Sequence, residues 1–182
     1  MTNEFGKIIA DYATRDVANL RMTILVAEAF DDIKRKVISS FISGLIRELR
    51  VKYQPDSWKF EFNADPLEKY SGFMMSNKKW VGKHWIGIEA GTGDARDFVI
   101  GVAKGVKTKT TVPGLMAALD TGVGRGRHHD SWEWYRNLDG PFNNWINEDA
   151  LCAMLSGDAV GEFLAKSKLL EIVEIANPLL SR

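Results

Sequence analysis

Residues 122–135, GVGRGRHHDSWEWY, gather three glycines, two arginines, a His-His pair, an Asp and two tryptophans. His128, His129 and Asp130 are each able to ligate a metal. Arg125 and Arg127 can fork onto phosphate or carboxylate oxygens, and Trp132, Trp134 and Tyr135 offer rings on which bases could stack. Adjacent strand residues point to opposite faces, so a His-His pair does not by itself converge on one ion, and the only other histidine is His84. No metal is therefore assigned. GVGRGR could aim backbone N–H groups at an anion, but it lacks the Gly-Lys-Ser/Thr ending of a P-loop and the strand-turn-helix setting of a dinucleotide fingerprint. The stretch reads as a flexible, positively charged loop feeding an aromatic strand whose tryptophans help close the core. Its candidate binding residues are Arg125, Arg127, His128, His129, Trp132 and Trp134.

Elsewhere no serine, cysteine or lysine stands in a nucleophile context, with neither a Gly-x-Ser-x-Gly elbow nor a local Cys-His signature. No catalytic residue and no cofactor is assigned. The pairs Asp31 with Asp32 and Asp94 with Asp97 read as solvated or turn residues, and GTGDAR at 91–96 as a hairpin turn.

The elements that position these residues follow from periodicity. From Leu20 to Arg50, apolar residues recur at Val26, Phe30, Ile33, Val37, Phe41, Leu45 and Leu49, the spacing of one long helix of about 45 Å. After Pro55, Trp58, Phe60 and Phe62 alternate with Lys59 and Glu61 as a strand. Further strands are expected in SGFMM (71–75), HWIGIEAG (84–91), RDFVIGVAKG (96–105) and SWEWYRN (131–137), joined by turn-rich connectors. A short helix is expected from Pro113 to Asp120. A helix capped by Asn147 follows, and then one running through Phe163, Leu169 and Ile175 until Pro178. The fold class is α+β: an antiparallel sheet of about five strands packed against the long N-terminal helix and the C-terminal helices, as one domain over residues 1–182.

A chain of 182 residues, 45% hydrophobic and 26% charged, has an ordinary soluble composition. Its 24 basic and 24 acidic side chains leave no overall basic field for nucleic acid, although residues 52–127 carry a net +4 and residues 128–182 a net −5. Cys152 is the only cysteine, which rules out an intrachain disulfide and suits a reducing compartment, with the thiol acting as a small hydrophobe in a helix. The N-terminus carries no leader pattern and no stretch is apolar enough to span a membrane, so a cytoplasmic protein without a membrane is expected.

Four segments carry a family resemblance: ILVAEAFDDIKRKVISSFISGLIRELR (24–50), WIGIEAG (85–91), SWEWYRNLDGPFNNW (131–145) and FLAKSKLLEIVEIANPLL (163–180). Over residues 20–182 the chain resembles the C-terminal accessory region of bacterial and phage proteins of the PD-(D/E)XK nuclease superfamily. The nuclease centre itself needs an acid followed by Asp/Glu-x-Lys on an adjoining strand, to bind Mg²⁺ and activate water. Asp56 supplies an acid, but Glu61-Phe62-Asn63 lacks the lysine, and Asp32-Ile33-Lys34 falls in a helix, where the two charges diverge. The resemblance therefore implies the accessory region without the nuclease core.

The expected function is a non-enzymatic binding or regulatory module of bacterial or phage origin, contacting a protein, such as a defence or toxin protein, or nucleic acid. One alternative is a diverged metal-dependent nuclease or hydrolase using Asp56, Glu61, His128 and His129. Another is a small-molecule binder with an apolar cavity between sheet and helix. The Leu20–Arg50 helix has apolar positions enough to serve its own sheet and a second subunit, as a homodimer would require.

Overall fold

Alternation in the middle of the chain produces strands in the computed structural model, which describes residues 4–63, 65–80, 84–92, 95–105 and 111–182. The strands are β1 (Trp58–Asn63), β2 (Gly72–Asn77), β3 (Trp85–Thr92), β4 (Arg96–Ala103), β5 (Arg127–His129) and β6 (Trp132–Asn137). They form one antiparallel sheet of six strands in the order β1-β2-β3-β4-β6-β5. The expectation of about five strands misses β5, which lies in the stretch read as a flexible loop. Gly93 and Asp94 of the GTGDAR turn lie outside the described residues.

The helices are α1 (Glu4–Ala13), α2 (Val17–Glu28), α3 (Phe30–Lys52), α4 (Leu115–Gly122), α5 (Glu148–Leu155), α6 (Ala159–Ser167) and α7 (Leu169–Leu180). The fold class is α+β, as expected. The chain divides into two compact units, Met1–Lys36 and Val37–Arg182.

In the second unit, one face of the sheet makes the core. Register places Phe73 and Met75 of β2 against Ile88 and Ile86 of β3, those two against Ile100 and Val102 of β4, and Val102 against Trp134 of β6. All of these side chains are buried. Ile38, Phe41, Ile42, Leu45 and Leu49 of α3, and Leu169, Ile172, Val173, Ala176 and Leu180 of α7, join the same core at helical spacing. A fully buried side chain of this kind contributes about 1.5–3 kcal/mol. Phe41 lies within an aromatic cluster, 5.9 Å from Phe142, 5.4 Å from Phe163 and 5.9 Å from Trp145 between ring centres. The Trp80 indole N–H, just past β2, donates to Asn177 Oδ1 of α7 at 2.8 Å.

In the first unit, Asp16 caps α2 by accepting the Asn19 N–H at 2.8 Å, and no residue of α2 is buried. The continuous Leu20–Arg50 helix is instead two helices separated by Ala29, whose N–H still bonds Leu25 O at 3.0 Å. Val26, Phe30 and Ile33 of the expected apolar stripe are 51%, 46% and 45% exposed.

The last expected helix is likewise two. Lys168 adopts the left-handed conformation (φ 61°) between α6 and α7. Pro178 stands inside α7, within its last turn, where a missing N–H costs one hydrogen bond. Asn147 precedes α5 without a side-chain cap bond, and Cys152 in α5 is exposed rather than packed as a small hydrophobe. No described helix is long and apolar enough to cross a membrane.

Candidate functional site

The stretch that opened the sequence reading is a hairpin edge. Chain reversal at Asp130 and Ser131 pairs β5 with β6, and the Ser131 N–H donates to His129 Nδ1 at 3.1 Å. One carboxylate fixes the approach to it. Asp120, in α4, accepts the Gly126 N–H at 2.9 Å and the Trp134 indole N–H at 2.8 Å. These two bonds, together with the nearby Arg125 charge, hold the Asp120 carboxyl below the usual aspartate range. Gly126 is required by close approach: an added Cβ would stand 2.1 Å from Trp134 Nε1. The glycines read as a flexible, anion-facing loop therefore include one that seats an indole.

A β-bulge sorts the aromatic residues. Two neighbours of β6 report the same extra residue: Val102 and Ala103 of β4 pair with Trp134 and Trp132, while Arg127 and His129 of β5 pair with Tyr135 and Trp132. Both registers skip Glu133. Trp132 and Trp134, two apart in sequence, thus point to opposite faces of the sheet, contrary to plain alternation. Trp134 lies in the core with no exposed surface, whereas Trp132 lies on the second face, where its neighbours leave it only 4% exposed.

That second face carries the strip of interest. Trp132 packs edge-on against Trp85 at 5.0 Å and tilts against Tyr135 at 5.9 Å between ring centres. Arg127 stands 5.0 Å from the Tyr135 ring centre and donates to Asn137 Oδ1, and His129 meets Tyr135 edge-on at 5.4 Å. Gly87 and Gly101 occupy the adjacent register positions, opposite Met74 and Tyr135. Added Cβ atoms there would meet backbone carbonyl oxygens at 1.9 and 2.1 Å. Beside Trp85 lies a groove of about 360 Å³ lined by Lys59, Glu61, Met74 and Ser76. Glu89 shares this face, and partial burial pushes its carboxyl above the usual range.

His128 turns the other way. It lines a cavity of about 540 Å³ with Asp120, Glu133, Lys104, Val112 and Met116. Glu133, buried, lies 3.4 Å from His84 Nε2 and accepts the Val112 N–H at 3.4 Å. The structure thus brings Arg127, His129 and Trp132 together, sends His128 to the cavity, leaves Arg125 exposed near Asp120, and buries Trp134 in the core. Sequence reasoning missed Asp120, Glu133 and the role of Trp85. The one available signal was a carboxylate set between two tryptophans in a strand.

No protein-family model, curated protein or solved structure matches the chain. The residues considered for a nuclease or hydrolase centre are spread apart. Asp56 is an exposed turn residue before β1, Glu61 pairs with Lys59, Asp32 pairs with Arg35 at 3.3 Å, and His128 and His129 face opposite ways. Among the described residues no three His, Cys, Asp or Glu side chains gather in metal-binding range.

Proposed function

We propose that the chain is a non-catalytic binding module that engages a protein partner through the second face of its sheet. The observation that carries this reading is the exposed Arg127 and His129 beside the half-buried Tyr135 and Trp85, backed by the buried Trp132, on a glycine floor. Arginine, tryptophan and tyrosine are the residues that dominate binding energy at protein interfaces. Arg127 is already held by Tyr135 and Asn137, so little side-chain freedom is lost on binding. The strip runs to β5, an edge strand with no partner on its outer side among the described residues, to which an extended segment could add.

Charge favours protein over nucleic acid. Arg127 and Lys59 share the face with Glu61 and Glu89, and the whole chain is neutral. A phosphate-tracking surface would be basic.

Affinity capture with wild type, Arg127→Ala/Tyr135→Ala and His128→Ala, with and without nuclease, tests the proposal. It predicts a protein that survives nuclease treatment, is retained by His128→Ala and is lost with the double variant. Capture of nucleic acid alone, weakening steeply with salt, overturns it.

A further inference from the structure

We propose that the N-terminal unit, residues 4–36, is a self-association element that forms an antiparallel helical bundle with a second copy of the chain. Among the described residues, eleven of the fifteen large hydrophobic side chains that stand exposed lie between Ile8 and Ile33. In α2, Val17, Leu20, Met22, Ile24, Leu25 and Val26 are each 45–67% exposed. At 100° per residue these six positions encircle the helix, interrupted only by Asn19, Arg21 and Thr23 and followed by Glu28. A helix that is apolar all round belongs among other helices. Ala13 is the only buried hydrophobic residue among those described in this unit, so α1 alone does not cover α2.

Area and charge point to a second copy as the cover. At roughly 100 Å² each, the eleven side chains offer on the order of 1,000 Å² per copy, and mutual burial of two-thirds falls within the ~1,200–2,000 Å² of a specific interface. The unit carries six acidic and six basic residues, and its signs are segregated: Asp31 and Asp32 precede Lys34, Arg35 and Lys36. Within one copy Asp31 pairs with Lys34 and Asp32 with Arg35, and antiparallel pairing about Ile33 sets these same acids against the basic cluster of the other copy as well. An anionic lipid surface would call for a basic polar face instead. A helix of 12 residues, about 18 Å long, is also too short for a hydrocarbon core of about 30 Å. This inference does not depend on the reading of the sheet face.

The test is the solution mass of the full chain by light scattering and sedimentation, compared with Leu20→Glu/Leu25→Glu and with the conservative Leu20→Met. The wild type and Leu20→Met should give twice the 20.4 kDa chain mass. The double variant should give the single mass, with the unfolding transition of the sheet unit unchanged because both side chains are exposed. A monomeric wild type overturns the proposal, as does a dimer that survives both glutamates. Co-sedimentation of a monomeric wild type with phosphatidylglycerol vesicles would overturn it in favour of a lipid surface.

Discussion

Replacing Gly126 with alanine tests the pin beneath the hairpin. The new Cβ would stand 2.1 Å from Trp134 Nε1 and 2.3 Å from Cε2, where nonbonded heavy atoms settle at about 3.5–4.0 Å. Either the indole retreats by more than an ångström or the Gly126 backbone lifts. Trp134 is fully buried and held at 2.8 Å by Asp120, while lifting Gly126 breaks its own 2.9 Å bond to the same carboxylate. Forcing a methyl group into a packed site costs about 1–3 kcal/mol. For a domain of this size that corresponds to a Tm lower by about 2–12 °C. Urea unfolding followed by near-ultraviolet circular dichroism measures the penalty, and a shifted indole N–H resonance should accompany it. The decisive comparison is Gly126→Ala in a Trp134→Phe background. A phenyl ring has no Nε1, so the penalty should shrink there, with a coupling of about 0.5–3 kcal/mol. An equal penalty in both backgrounds, or none in either, would refute the contact.

Burial raises the Glu89 carboxyl, so the folded state favours its protonated form and stability is lost as pH rises through the folded-state pKa. Glu89→Gln should therefore raise Tm at pH 8 with a gain that shrinks toward pH 4, and a gain equal at both would count against this account. Lys168, left-handed at φ 61°, strains a side-chain-bearing residue between α6 and α7, and its ion pair with Glu171 is exposed. Lys168→Gly should stabilise by about 0.5–1 kcal/mol in urea titrations. Phe41→Ala removes the hub of four rings and should cost about 3–5 kcal/mol, read as a lower urea midpoint.

The sheet was legible because alternation is a local signal: Trp58, Phe60 and Phe62 fall on one face, as their spacing dictates. Three residues, Arg-His-His, carry no alternation, and β5 exists because Asp120 and the facing β6 hold it. Helical periodicity was equally clear on both sides of Lys36, but it marks an apolar stripe without naming its cover. Ile38 onward joins the sheet core, and Val26, Phe30 and Ile33 stand 51%, 46% and 45% exposed. The αL residue at Lys168 was hidden because no glycine announces it. In the site, Arg127, His129 and Trp132 were singled out by residue type alone, and the structure sets them side by side. Trp134 could not be separated from Trp132, since two residues in a strand two positions apart ordinarily share a face.

The bulge that separates them also decides what a deletion would do. Removing one residue from a regular strand slips its register and inverts every side chain beyond the cut. Glu133 is the residue both neighbouring strands skip, so its removal leaves Trp134 opposite Val102 and Trp132 opposite Ala103, in plain alternation. Deletion of Glu133 should therefore keep a cooperative fold, the Trp85–Trp132 pair and partner capture through Arg127 and Tyr135. What it removes is the buried carboxylate of the cavity, with its 3.4 Å approaches to His84 and the Val112 N–H. Deletion of Val99, in the unbulged part of β4, supplies the contrast: it would drive Ile100 and Val102 out of the core. Urea unfolding should place the Glu133 deletion well above the Val99 deletion in midpoint. Equal loss from the two deletions would mean that the two-face arrangement depends on more than one extra residue in β6.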